Sequence, residues 1–131
     1  MDHPPASQKR TYYHVVWSTH NRAQALLPEV QAYFLQMVRE FAAERSLTIL
    51  EASCMPDHVH LLLEKAPWED LVQIMEEIKG RTSRLIALRF PELKADMGPH
   101  FWEEGYHYEK HTDATLEKAR RYVRHQQRVA R

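Results

Sequence analysis

The sequence predicts an α+β fold, on three observations. Apolar residues alternate between the two-residue step of strands and the 3.6-residue step of helices. The elements so marked fall in the order strand, helix, strand, strand, helix, strand, helix. The 131 residues suffice for one core of two packed layers and not for two independent ones. The chain is therefore read as one domain, residues 1–131, with Pro4-Pro5 in what reads as a flexible leader over residues 1–8.

Each element has its own signal. Thr11 to Ser18 is rich in aromatic and β-branched residues, with Tyr13, Val15 and Trp17 on one alternating face, which predicts a strand. Pro28 suits a first helical turn, and Val30, Tyr33, Phe34, Met37, Val38 and Phe41 then recur at helical spacing to about Arg45. Leu47 to Cys54 and His58 to Glu64 read as two strands joined by Met55-Pro56-Asp57. Leu71, Ile74, Met75, Ile78, Thr82 and Leu85 mark a second helix, stopped before Pro91 because the residue before a proline is driven out of helical geometry. After a loop with Gly98 and Pro99, the aromatic run Phe101, Trp102, Tyr106, Tyr108 predicts a fourth strand with Gly105 as a bulge or bend. Thr112 or Asp113 caps a last helix running to about Ala130. This order is the ferredoxin-like, or RRM-like, split βαβ arrangement with an extra C-terminal helix: an antiparallel sheet with its first two helices on one face. Such a fold serves binding modules and enzymes alike, so function must be read from particular residues.

Composition narrows the field. With 44% hydrophobic and 27% charged residues the chain is neither disordered nor collagenous, and no apolar run approaches a bilayer span. Met1-Asp2-His3-Pro4-Pro5 lacks the basic-then-apolar order of a secretory signal, which predicts a cytoplasmic protein. One cysteine, Cys54, leaves no intrachain disulfide framework. The formal net charge of zero at first argues against a nucleic-acid partner. It is a cancellation between halves: residues 1–78 carry six basic and eleven acidic side chains, residues 79–131 twelve and seven. From Lys118 onward the chain holds Lys118, Arg120, Arg121, Arg124, Arg128 and Arg131 with no acid. That run reads equally as a solvated helix end and as a polyanion-binding surface.

Two segments carry candidate chemistry. On a strand, His58 and His60 point to one face while Val59 and Leu61 point to the other, and two neutral imidazoles one strand repeat apart can share a metal ion. In the last helix Tyr122 and Gln126, four apart, project from the same side. A tyrosine oxygen is a competent covalent nucleophile where a metal or cationic field lowers its proton affinity, and a glutamine carbonyl can complete a metal's ligand set. Either segment alone is better read as ordinary structure: polar histidines on a solvated face, and a helical tyrosine packed on a sheet.

Together they match a family pattern. Tyr13-His14-Val15-Val16-Trp17, Met55-Pro56-Asp57-His58-Val59-His60-Leu61-Leu62, Ile78-Lys79-Gly80-Arg81-Thr82-Ser83, Phe101-Trp102-Glu103-Glu104-Gly105-Tyr106 and Arg121-Tyr122-Val123-Arg124-His125-Gln126 occur in the family's order. In these segments the chain resembles the HUH single-tyrosine transposases of small bacterial insertion sequences and their domesticated relatives, the REP-associated tyrosine transposases. The resemblance implies an endonuclease and strand transferase acting on single-stranded DNA with hairpin ends, through a 5′-phosphotyrosine intermediate. It places the metal on His58 and His60 with Gln126 as third ligand, and the nucleophile on Tyr122. It also implies a homodimer whose tyrosine helices complete each other's sites. No nucleotide cofactor is needed, because the phosphotyrosine bond conserves the energy of the phosphodiester. Two histidines and an amide favour Mn²⁺ on ligand chemistry, and Mg²⁺ is the abundant alternative. Lys79, Arg81, Arg84 and Arg89 of the second helix, with Arg121 and Arg124 of the last, are candidates for phosphate contacts.

Two other readings are open to the sequence. The same chemistry could serve a domesticated enzyme cutting REP hairpins. Alternatively, an RRM-like sheet could bind single strands without catalysis, stacking bases on Tyr12, Tyr106 and Tyr108.

Overall fold

The computed structural model describes residues 10–93, 97 and 100–129, without the side chains of 127–129. The leader expected over residues 1–8 lies outside these residues, as do Gly98, Pro99, Arg131 and the side chain of Arg128. The elements are β1 (Thr11–Ser18), α1 (Pro28–Ala43), β2 (Leu47–Met55), β3 (His58–Lys65), α2 (Leu71–Arg89), β4 (His107–His111) and α3 (Asp113–Val129). The sheet runs β2-β3-β1-β4 with every neighbouring pair antiparallel, which is the ferredoxin-like order expected. No described helix is long and apolar enough to cross a membrane.

Strand alternation sorts the sheet into two faces. On one, Val15 and Trp17 of β1 and Val59, Leu61 and Leu63 of β3 are buried against α1 and α2. Phe34, Val38 and Phe41 of α1 and Ile74, Met75, Ile78 and Ile86 of α2 complete that layer. Each such side chain is worth about 1.5–3 kcal/mol when fully withdrawn from water. α1 begins on Pro28, whose missing N–H costs nothing in a first turn. α2 begins at Asp70, whose carboxylate accepts from Val72 N at 3.3 Å, and it ends before Pro91.

The aromatic run before β4 departs from expectation. The strand begins only at His107, and Phe101 and Trp102 belong to the core. Trp102 meets Trp17 and Phe34 edge-on, at centroid distances of 5.6 and 5.5 Å. Its indole N–H donates to Thr82 Oγ1 at 2.9 Å. Burial of so large a ring outweighs strand pairing once α2 supplies a partner for the N–H, leaving only the isolated bridge Thr19↔Trp102. Gly105, at φ 84°, then turns the chain into β4, a conformation that favours glycine.

The opposite face is covered by α3, and a bulge in β2 makes this possible. Ile49 pairs with Leu63 but Glu51 pairs with Leu62, so Leu50 is an extra residue. Beyond it the alternation of β2 is inverted, and Glu51 and Ser53 face α3 instead of the α1/α2 layer. Glu51 receives Arg120 Nε at 3.1 Å and Arg124 at 2.6 Å, and Ser53 Oγ donates to Val123 O at 2.9 Å. Beneath them Leu62, Ala119 and Val123 form a small second core with Leu50 and Leu116 against it. At the start of α3 the Thr112 N–H donates to Thr115 Oγ1 at 3.0 Å, the back-reaching half of a capping box, and Tyr12 donates to Asp113 Oδ1 at 2.9 Å.

Phe34→Ala is expected to lower stability by about 3–5 kcal/mol, because the site is enclosed by Trp17 and Trp102 and cannot collapse. Chemical denaturation followed by circular dichroism measures this, and a loss under about 1 kcal/mol would show the ring is not held as described.

Candidate active site

The histidine strand presents its site to the face of α3. His58 lies opposite Ser18 and Met55, and His60 opposite Val16 and Ser53. His60 is 5% exposed. Its Nδ1 is 2.8 Å from Nε2 of His14, and the two rings stack at 5.0 Å. His58 Nδ1 is 2.7 Å from Asp57 Oδ1, and Asp57 Oδ2 in turn accepts Arg22 Nε at 3.1 Å. With Nδ1 of both rings engaged, Nε2 is the nitrogen each has left to offer as a lone pair. Orientation of a ligand histidine through its other nitrogen is the usual second layer of a metal site.

The electrostatics agree. Burial, aided by the neighbouring His14 and His58, pushes His60 down to about 4, so its ring is neutral at physiological pH. Burial also lowers His14, more than the nearby Glu109 carboxylate raises it. At Asp57 burial opposes ionisation, but the His58 contact and the Arg22 guanidinium outweigh it and hold the carboxyl below its ordinary value. Two same-face imidazoles, one of them held neutral, are a donor set that fits a borderline divalent ion.

α3 brings Tyr122 to this pair. Its ring lies 6.0 Å from that of His60 and 5.6 Å from that of His14, edge-on to both, and it is 51% exposed. Among the described residues none hydrogen-bonds its hydroxyl. Gln126 is half-buried one helical turn further along α3, and no hydrogen bond joins it to His58 or His60. Three of the four expected residues thus meet around His60, with the fourth on the same helix side. Cys54 is buried facing the α1/α2 layer, where burial pushes its thiol up to about 12.

The basic candidates divide. Arg124 is engaged by Glu51 and helps dock α3, whereas Arg121 is exposed beside Tyr122. Lys79, Arg81 and Arg84 stand on α2, behind the sheet from Tyr122. Lys79 donates to the carbonyls of Glu103 and Gly105 at 2.7 and 2.6 Å, and Arg81 reaches Glu44 at 3.2 Å. The tyrosines of the RRM-like reading do not share a face: Tyr108 lies opposite Val15 and packs on Tyr13, whereas Tyr12 is on the α3 side.

Reading by sequence missed Asp57 and His14 as partners of the two histidines. Asp57 could have been found from its place beside His58; His14 could not, because only strand pairing brings it to His60. It also missed that donor atoms of His14, Glu109 and His111 lie within 4.8 Å of one another, a second group able to hold a metal.

By NMR, the His60 imidazole is expected to titrate near pH 4 in the metal-free protein. A lowered histidine value means the unfolded chain binds the proton more readily, from about pH 6.5 downward. This contribution to stability is therefore complete above that pH and shrinks as pH falls toward 4. A midpoint near 6.5 would contradict the enclosed geometry.

Comparison with known proteins gives a consistent result. The family model described as "Transposase IS200 like" matches residues 7–126. The ISDra2 transposase TnpA of Deinococcus radiodurans is 30% identical over 115 residues, covering 87% of this chain and 82% of the relative. The transposase for insertion sequence element IS200 of Salmonella typhimurium is 31% identical over 115 residues, with 87% and 75% covered. A crystal structure described as that of a transposase from Deinococcus radiodurans superposes with a TM-score of 0.77 at 28% identity, over 96% of this chain and 98% of that one. A REP-associated tyrosine transposase bound to a REP hairpin shares the fold, with a TM-score of 0.65 at 12% identity over 94% and 70% of the chains. With its histidine strand, its docked tyrosine helix and a family match over nearly the whole length, the chain belongs to the IS200-like transposases.

Proposed function

We propose that this transposase cuts and rejoins single-stranded DNA through Tyr122, at a metal site formed by His58, His60 and Gln126, and that its targets carry hairpin ends. The observation that carries the reading is the meeting of Tyr122 with His60 on one sheet face, with the remaining nitrogen of each histidine available. A divalent ion, Mn²⁺ or Mg²⁺, supplies Lewis-acid neutralisation of the scissile phosphate when bound.

The chain's own residues supply the rest. The Tyr122 oxygen gives its proton to solvent water and attacks phosphorus in line; the bond to the 3′-oxygen breaks and that oxygen takes a proton back from water, leaving a 5′-phosphotyrosine and a free 3′-hydroxyl. A second 3′-hydroxyl reverses the step onto a new strand. Among the described residues no partner has to be displaced from the hydroxyl before it acts. Asp57 and His14 fix the two imidazoles in the orientation the site requires, so that little reorganisation accompanies binding. Arg121 and Lys118, exposed on α3, are the cations best placed for the backbone of a strand lying across Tyr122. Lys79, Arg81 and Arg84 would serve a strand or hairpin stem wrapping to the far side of the sheet. Two DNA ends are exchanged in rejoining, so the working form is a homodimer. The REP hairpin on a relative of the same fold favours hairpin DNA as partner, in a mobile element or a domesticated copy.

The covalent test uses hairpin oligonucleotides from the source genome with Mn²⁺ or Mg²⁺ and a denaturing gel. Wild type is expected to form a protein–DNA adduct, and Tyr122→Phe none; an adduct with both would remove Tyr122 from the role. Mixing Tyr122→Phe with His58→Ala/His60→Ala tests whether the tyrosine serves the histidines of its own chain or those of the other subunit, since activity returns only if it acts across subunits. Asp57→Ala is expected to weaken Mn²⁺ binding by about 10–100-fold, read by calorimetry, because it removes the acceptor that holds the His58 ring. Unchanged affinity would mean that Asp57 does not orient a ligand.

A further inference from the structure

We infer that His14, Glu109 and His111 form a second metal site, separate from the histidine pair on β3 and suited to a borderline transition ion such as Zn²⁺. Strand pairing builds it. His14 of β1 lies directly opposite Glu109 of β4, and His111 follows two residues later on the same face. Their donor atoms lie within 4.8 Å of one another. Two imidazoles and one carboxylate are the donor set of open zinc sites, whereas Mg²⁺ prefers oxygen throughout.

Three further observations point to a ligand. Nε2 of His111 is buried, and Glu109 Oε1, 2.8 Å away, does not lie in hydrogen-bonding geometry to it. A buried nitrogen in that state is costly unless something else takes its lone pair. The other nitrogen, Nδ1, lies 3.0 Å from Thr115 Oγ1, so the ring is already fixed from behind, as ligand histidines are. The three residues also line a cleft of about 670 Å³ between β1, β4 and α3, with Lys118 and Tyr122 on its opposite wall. An ion there keeps an open position toward that cleft.

The site is distinct in composition from the β3 pair but touches it, because the His14 ring packs against both His60 and Tyr122. An ion on His14, Glu109 and His111 would tie the edge strand β4 to β1 beside the nucleophile. This inference does not rest on the transposition chemistry and is tested without DNA.

The full chain is titrated with Zn²⁺ by calorimetry and with Co²⁺ by visible absorption. In the His58→Ala/His60→Ala variant one Zn²⁺ per chain is expected to remain, undisplaced by millimolar Mg²⁺. Adding His111→Ala, or separately Glu109→Gln, is expected to weaken it by more than the about 10–100-fold that loss of an orienting partner costs, and Thr115→Val by about that amount. Glu109 is largely exposed, so Glu109→Gln keeps the fold, as its circular dichroism and melting temperature would show. The inference is overturned if the His58→Ala/His60→Ala variant binds no Zn²⁺, or if Glu109→Gln and His111→Ala leave its affinity unchanged.

Discussion

Leu50 is one residue too many in β2, and much of the candidate site follows from it. A strand that kept its alternation would turn Glu51 and Ser53 into the apolar layer under α1 and α2, where neither could be satisfied. The bulge turns both to the other face. There Glu51 gathers Arg120 and Arg124, and Ser53 reaches the backbone at Val123. The hydrogen bond to Arg124, more than any other contact, holds the Glu51 carboxyl below its ordinary value, and Arg120 adds to it. These contacts fix the rotation and height of α3 on the sheet, and with them the place of Tyr122.

The docking also reinterprets the charge. The last helix is basic in sequence, but its charge is partly spent inside the molecule, since Arg120 and Arg124 answer the single acid of β2 that the bulge exposes to them. Lys118 and Arg121 remain exposed. On α2, Lys79 closes the loop before β4 and Arg81 pairs with Glu44. Among the described residues a formally neutral protein can thus present a small basic surface beside Tyr122, a distribution suited to local contact with a polyanion.

The histidines show why enclosure matters to this site. An exposed H-x-H pair would titrate near neutrality and lose its lone pairs in mild acid. Here β1 and α3 bury His60 against His14, and desolvation keeps the ring neutral. Asp57, kept ionised against burial by its contact with His58 and then by Arg22, holds the more exposed His58. The same packing leaves His14 shared between two groups of donors, the β3 pair on one side and Glu109 with His111 on the other.

Much of the molecule was legible in order. Period and punctuation marked all seven elements, the ferredoxin-like topology followed from their sequence, and His58, His60 and Tyr122 stood out as motif residues. These features are local: alternation, helical spacing, proline stops and short motifs depend on neighbours within a few positions. Phe101 and Trp102 were misread as strand for the complementary reason, since the partner that let the indole be buried, Thr82, comes from a distant helix. Sequence by itself therefore determined the elements, their order and the candidate chemistry. Only the tertiary structure decided the inverted register after Leu50, the seating of Tyr122 against its own chain's His60, and the meeting of His14 with His60, Glu109 and His111. Those depend on pairing and packing between segments as much as about a hundred residues apart, for which no local pattern in the chain carries a signal.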